Sequence, residues 1–287
     1  MSLQMDVVGL YMRMTALRSM NTPERARARI GAPKGSALPP SRLSGRHRVE
    51  RRTEGGFTCY TITPRQRRPE RSALYLHGGG YISEIVRQHW ALISQLADQG
   101  VRVEVPLYGL APQHHYREAY EFLTTVYRRA VTAPDATPMT IVGDSAGGGL
   151  ALGFTQTLPG RHLPPPARLI LIAPWLDLTM SNPDCASIQD PWLSRTGLLA
   201  AGAAWANGDD LADPRLSPIN GPLDRLPPTD VYIGTRDLFL PDVLLLRQRS
   251  ARVSVTVCQD AIHVYPLVPV PEGRAAARTI VDTVATA

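Results

Sequence analysis

From about residue 70 onward the chain alternates short apolar runs with longer amphipathic stretches, and this rhythm sets the expected fold. The runs at 72–76, 101–105, 140–143, 168–172, 230–233 and 253–257 are rich in Val, Ile and Leu and read as buried strands. The stretches near 88–99, 116–133, 146–158 and 241–251 read as helices with one apolar face. Strand and helix in alternation predict a mostly parallel sheet covered on both faces, an α/β fold. In such sheets ligands bind beyond the carboxyl ends of the strands, so the residues that follow each strand become the functional candidates.

The pattern differs at the start of the chain and again near residue 180. Residues 47–53 and 57–63 alternate polar and apolar positions around a Glu-Gly-Gly turn and predict an antiparallel hairpin. Before them, Leu3, Val7, Leu10, Met14 and Leu17 recur at helical spacing, which puts them on one face of a helix expected to pack as a cap. A second helix is expected from Thr22, with Pro23 in its first turn. The stretch 179–227 carries Trp192, Trp205 and many small residues but no strand, and reads as an inserted cap. The expected organisation is therefore a helical cap region over 1–45 and an α/β domain over 46–287, interrupted by the insertion.

Composition narrows the partners. Hydrophobic residues make up 44% of the 287, enough for one large buried core. The net charge of +6 is unevenly spread: residues 1–75 hold 15 Lys and Arg against 5 Asp and Glu, and the remainder holds 16 against 20. No zinc-finger, helix-turn-helix or RNA-binding signature accompanies the arginine clusters, so nucleic acid is not an expected partner. The basic, apolar N-terminus does suggest contact with an anionic membrane surface. Three scattered cysteines, Cys59, Cys185 and Cys258, show no CxxC spacing, which argues against a disulfide scaffold or a metal site and for a reducing, cytoplasmic setting. Asp6 interrupts the apolar N-terminus and no basic stretch precedes it, so a signal peptide is not expected. No later run is long enough to span a bilayer.

Applying the strand-end rule singles out Thr140–Leu150, "TIVGDSAGGGL". Strand, Gly143, Ser145, Gly147 and helix follow in the order of a G-x-S-x-G nucleophile elbow, in which glycines allow a turn sharp enough to expose a serine. A serine hydroxyl needs a base, and the base an orienting acid. Of the seven histidines only His263 lies far downstream, in the loop after the last run. Asp237 follows the preceding run at the carboxyl edge of the sheet and is the favoured acid, with Asp242 and Asp260 as alternatives. The glycine-rich "HGGG" at 77–80 also follows a run; Gly78 and Gly79, with the amide of Ala146 after the serine, are the expected donors to an oxyanion. Tyr81, beside that loop, is the expected substrate-contacting aromatic. Trp90, Leu110, Trp192 and Trp205 are further pocket candidates.

Taken together, "HGGG" at 77–80, "YGLAPQ" at 108–113, "GDSAGGG" at 143–149, Asp237 and His263 stand in the order found in the hormone-sensitive-lipase-like branch of the α/β-hydrolases, which the chain resembles over about residues 70–270. The resemblance implies an α/β-hydrolase sheet with an N-terminal helical cap, and hydrolysis of small carboxylic esters of short to medium acyl chain without metal or cofactor. It further implies Ser145 as nucleophile, Asp237 as acid, His263 as base, Gly78, Gly79 and Ala146 as oxyanion hole, and a homodimer as the usual assembly. The chain departs from the family pattern at Gln113 and at Ile82-Ser83-Glu84, positions that bear on pocket shape, and in the stretch after Asp237, which is less acidic than is common in the family, so that the assignment of the acid rests on the position of Asp237 more than on its flanks. Two other readings use the same residues: a non-catalytic small-molecule-binding protein of this fold, and an amide or peptide hydrolase.

Overall fold

A computed structural model describes residues 2–287. Four helices lead the chain: α1 (Leu3–Met14), α2 (Ala16–Met20), α3 (Pro23–Gly31) and α4 (Ser41–Arg46). They are followed by β1 (His47–Glu54), β2 (Phe57–Pro64), β3 (Arg71–Leu76), α5 (Arg87–Asp98), β4 (Val101–Leu107), α6 (Tyr116–Thr132), β5 (Met139–Asp144), α7 (Ala146–Thr157) and β6 (Arg168–Ile172). The chain continues through α8 (Arg195–Ala206), β7 (Thr229–Arg236), α9 (Leu240–Arg249), β8 (Val253–Ile262) and α10 (Pro271–Thr286). The eight strands form one sheet in the order β1-β2-β4-β3-β5-β6-β7-β8. The first hairpin pairs antiparallel and β2 joins β4 antiparallel; every pair from β4 through β8 is parallel.

The central strands earn their place by lacking polar side chains to expose. Every residue of β5 is buried, as a strand covered on both faces must be. The outermost strand β1 is instead largely exposed and carries Arg48, Arg51 and Arg52. Part of the basic cluster noted in the sequence is thus an edge strand, where charge discourages pairing with another chain. Cap residues act where expected on α3: the Thr22 hydroxyl accepts from Arg25 N at 3.3 Å, with Pro23 in the first turn.

The expected packing of the first helix is reversed. Leu3, Val7, Leu10 and Met14 do share one face of α1, but that face is exposed. Met5 and Gly9 are the buried positions, with Val8 and Met12 packed beside them. Spacing showed that a stripe existed; it could not show that a second, flatter stripe would be the one to meet the sheet. The segment between β6 and β7 holds α8 and no strand; α8 packs against α3 and against the end of α2, where Gly197 comes so close that an added Cβ would stand 2.6 Å from Met20 Cβ.

Candidate active site

The parallel strands β3, β5, β7 and β8 bring four loops to one edge of the sheet, and their residues meet there. Ser145 links β5 to α7 with φ 52° and ψ −122°, a left-handed conformation that costs a non-glycine residue energy and persists only where its surroundings impose it. Those surroundings are visible. Ser145 N donates to Ile172 O at 2.8 Å, and Ser145 O accepts from Gly148, Gly149 and Trp175 amides at 3.0–3.1 Å. The flanking glycines are required by close approach: a Cβ on Gly143 would lie 2.3 Å from Gly147 O, and one on Gly147 would lie 2.1 Å from Leu76 O. Helix α7 therefore begins pressed against the end of β3.

His263 Nε2 stands 2.9 Å from Ser145 Oγ, and His263 Nδ1 stands 2.8 Å from Asp237 Oδ2. With Nδ1–H donating to the carboxylate, Nε2 is free to accept the serine proton. Asp237 is fully buried, and its other oxygen accepts from Phe239 N at 3.0 Å. Asp242 and Asp260 are engaged elsewhere, with Asn182 and Gln259. Burial opposes charge on His263, yet the charge and hydrogen bond of Asp237, aided by Asp190 and Asp144, carry its pKa above the ordinary histidine value. Phe239 and Trp192 set ring edges on the imidazole at centroid distances of 5.3 and 5.7 Å.

Gly78 lies beside the nucleophile, so close that an added Cβ would be 3.0 Å from Ser145 Cβ. Among the described residues, the amides of Gly78, Gly79 and Ala146 donate to no backbone carbonyl. Three N–H groups are thereby left for an incoming oxygen. The loop carrying two of them is braced from below. The His77 ring stacks on Tyr108 at 4.6 Å, and its Nδ1–H donates to Gly78 O at 2.7 Å. Burial pushes the His77 pKa down to about 4, so it serves as a neutral ring.

Asp144, which precedes the serine, is buried and accepts from Tyr75 Oη at 2.9 Å and from His89 Nε2 at 3.1 Å. Val86 N donates to His89 Nδ1, which fixes the proton on Nε2. Burial works against the carboxylate, but His89 and Tyr75 hold its pKa below the usual range.

The expected pocket aromatics are redistributed. Tyr81 is almost fully buried; its hydroxyl donates to Ala146 O at 2.8 Å, and its ring is parallel to Trp205 at 4.5 Å and stacked on Trp175 at 5.8 Å. It underlies the elbow and presents no open surface to a ligand. Trp205, Trp90 and Leu110 are buried as well, and only Trp192, half-buried against His263, stands at the site. A surface groove of about 900 Å³ between residues 181–188 and α9 contains none of the residues that meet at Ser145. No group of three or more His, Cys, Asp and Glu side chains suited to a metal ion occurs among the described residues.

One residue escaped the sequence reading. Asp190, in the segment between β6 and β7, accepts from Trp192 N at 2.7 Å, Leu193 N at 3.0 Å and Leu238 N at 2.9 Å. It ties the segment carrying Trp192 to the loop carrying Asp237. Burial and the neighbouring charge of Asp237 raise its pKa to about 6. An Asp-Pro pair signals a turn, but nothing in the spacing links position 190 to position 238.

Comparison with known proteins agrees with this architecture. A family model described as alpha/beta hydrolase fold matches residues 73–267. An esterase of Acinetobacter venetianus is 35% identical over 193 residues, 64% of this chain and 62% of that protein, so the match spans less than two thirds of that relative. An acetyl-hydrolase of Streptomyces hygroscopicus is 31% identical over 237 residues, 78% of each chain. A solved esterase of the bacterial hormone-sensitive lipase family superposes with a TM-score of 0.83 at 26% identity, covering 100% of this chain and 98% of its own. Sheet order, elbow and relatives converge on one conclusion: the chain belongs to the α/β-hydrolase fold family, in its hormone-sensitive-lipase-like branch.

Proposed function

We propose that this protein hydrolyses small carboxylic esters through an acyl-serine intermediate formed on Ser145. The observation that carries the proposal is the unbroken Ser145–His263–Asp237 hydrogen-bonded chain beside three unpartnered amides. In this mechanism His263 Nε2 takes the Ser145 proton as Oγ attacks the ester carbonyl carbon. The oxyanion of the tetrahedral intermediate accepts from Gly78, Gly79 and Ala146 amides. The intermediate collapses, the carbonyl re-forms, and the alcohol leaves with the proton returned by His263. Water then attacks the acyl-serine while His263 takes its proton; collapse releases the acid and restores Ser145. Asp237 holds the imidazole in the required tautomer and offsets its positive charge throughout.

Short acyl chains fit this reading, because the half-buried Trp192 ring stands edge-on to the imidazole and narrows the approach to Ser145. The name of the Streptomyces relative, an acetyl-hydrolase, points the same way. The free thiols Cys59, Cys185 and Cys258 suit a reducing, cytoplasmic setting.

The test is hydrolysis of p-nitrophenyl esters from acetate to palmitate by the intact protein and by Ser145→Ala. The expected result is turnover greatest at short chains and reduced by more than about 10³-fold in the variant. Equal rates in both proteins, or none in either, would refute the proposal. An anilide matched to the best ester separates ester from amide hydrolysis.

A further inference from the structure

The outward face of α1 is the largest departure from ordinary surface chemistry in the molecule. Leu3, Val7, Leu10, Tyr11 and Met14 are 79, 60, 60, 61 and 56% exposed. At about 100° per residue they fall within an arc of roughly 100°, a full apolar stripe of the width a helix normally buries. The opposite side of the same helix is apolar too, with Met5, Gly9, Val8 and Met12 packed on the protein. A helix apolar on two faces and covered on one is a helix missing a partner. The other large exposed apolar residues among those described, Leu38, Val86, Leu244 and Val257, are separated in sequence and belong to other segments.

Charge indicates the kind of partner. Arg13 on α1, Arg18 on α2, and Arg25 and Arg27 on α3 are all exposed. Asp6 pairs with Arg236 at 3.3 Å and Glu24 with Arg27 at 3.4 Å, which leaves Arg13, Arg18 and Arg25 without an acidic partner among the described residues. An apolar stripe on a helical segment with excess arginine matches the layered chemistry of an anionic phospholipid surface, with acyl chains below and phosphates above. A second copy of this chain would bring the same arginines together, which disfavours self-association through this face.

Position gives the contact a consequence. The inner side of α1 rests on the residues that immediately precede two members of the triad. A Cβ on Gly9 would lie 3.2 Å from Arg236 Nη2 and 3.5 Å from Ile262 Cγ2, and these residues adjoin Asp237 and His263. The helix end is fastened separately, by Ser2 Oγ donating to Glu272 on α10 at 2.8 Å.

We propose that α1 docks flat on an anionic phospholipid bilayer through Leu3, Val7, Leu10, Tyr11 and Met14, with the neighbouring arginines meeting lipid phosphates, and so holds the Ser145 site at the membrane surface. The proposal concerns binding and stands or falls separately from the reaction at Ser145.

The experiment is co-sedimentation of the intact chain with sucrose-loaded vesicles of phosphatidylcholine alone, and of phosphatidylcholine with roughly one third phosphatidylglycerol. The intact chain is expected to pellet with the anionic vesicles at low salt and to be released by high salt. Val7→Gln/Leu10→Gln should weaken partitioning by about tenfold or more, and Arg13→Gln/Arg18→Gln should flatten the salt dependence. Thermal melting and p-nitrophenyl acetate hydrolysis of these variants should match the parent, showing that the fold is intact. An intact chain that stays in the supernatant with anionic vesicles at low salt overturns the proposal, as does undiminished pelleting of Val7→Gln/Leu10→Gln. A dimer in sedimentation equilibrium that this variant dissociates, without vesicle binding by the parent, would assign the face to a second copy and also overturn it.

Discussion

Gly147→Ala isolates the role of the elbow without touching any reacting group. The new methyl would stand 2.1 Å from Leu76 O and 2.5 Å from His77 O, both backbone atoms with no flexible side chain to yield. Ordinary contact distance can be recovered only if the start of α7 withdraws from β3 by about 1 Å, at a cost of about 1–3 kcal/mol in stability. That withdrawal moves Ser145 and the Ala146 amide away from Gly78 and Gly79, which remain on the β3 loop. A displacement of this size among reacting groups lowers kcat by about 100-fold. The assay is steady-state hydrolysis of p-nitrophenyl acetate, with urea denaturation in parallel. Gly35→Ala is the control, since an added Cβ there meets nothing within 4 Å, and it should leave both measurements unchanged. If Gly147→Ala retains kcat within about threefold of the parent, the elbow does not depend on this close approach and the reasoning is refuted.

Other consequences follow from the same geometry. His263 must be neutral to accept the serine proton and its pKa is raised, so kcat/KM should fall with decreasing pH around a midpoint above the ordinary histidine value of about 6.5. Asp190→Asn removes a charge that supports the imidazolium, so this limb should move to lower pH; an unmoved limb with an intact melt would show that Asp190 acts only on the backbone. Tyr75→Phe strips one donor from the buried Asp144 carboxylate and should cost about 1–3 kcal/mol in urea denaturation; stability within a few tenths of the parent would contradict the assigned bond. Trp205→Ala opens a cavity behind Tyr81 and should cost about 3–5 kcal/mol by the same measurement, with loss of activity at temperatures where the parent is stable.

The strands and helices were legible because period and apolar content report burial directly. The expected run 168–172 coincides with β6, and β3, β4, β5 and β7 extend their runs by one to four residues. Helices α5, α6, α7 and α9 begin within one residue of expectation. Helix α10 was not expected; its apolar positions are mostly alanine and valine, too slight for the pattern to stand out. Strand β8 outran its apolar run by five residues, because pairing with β7 resumes after an irregularity near Gly234, as Arg236 meets Ile262.

By itself the sequence determined the alternation of strand and helix, and with it the edge at which any site must form. It also determined which residues could bear the chemistry, since a serine between turn-forming glycines and one far-downstream histidine can be read in one dimension. Tertiary structure alone decided what meets what. It placed Asp237, and neither Asp242 nor Asp260, against His263, brought Asp190 against the neighbouring loop, sank Tyr81 beneath Ala146 and turned the apolar stripe of α1 outward. The physical reason is one of range. Periodicity records whether a position is apolar within a few residues of its neighbours, whereas a hydrogen bond between residues 48 or 118 positions apart depends on sheet order and loop path. No local pattern encodes those.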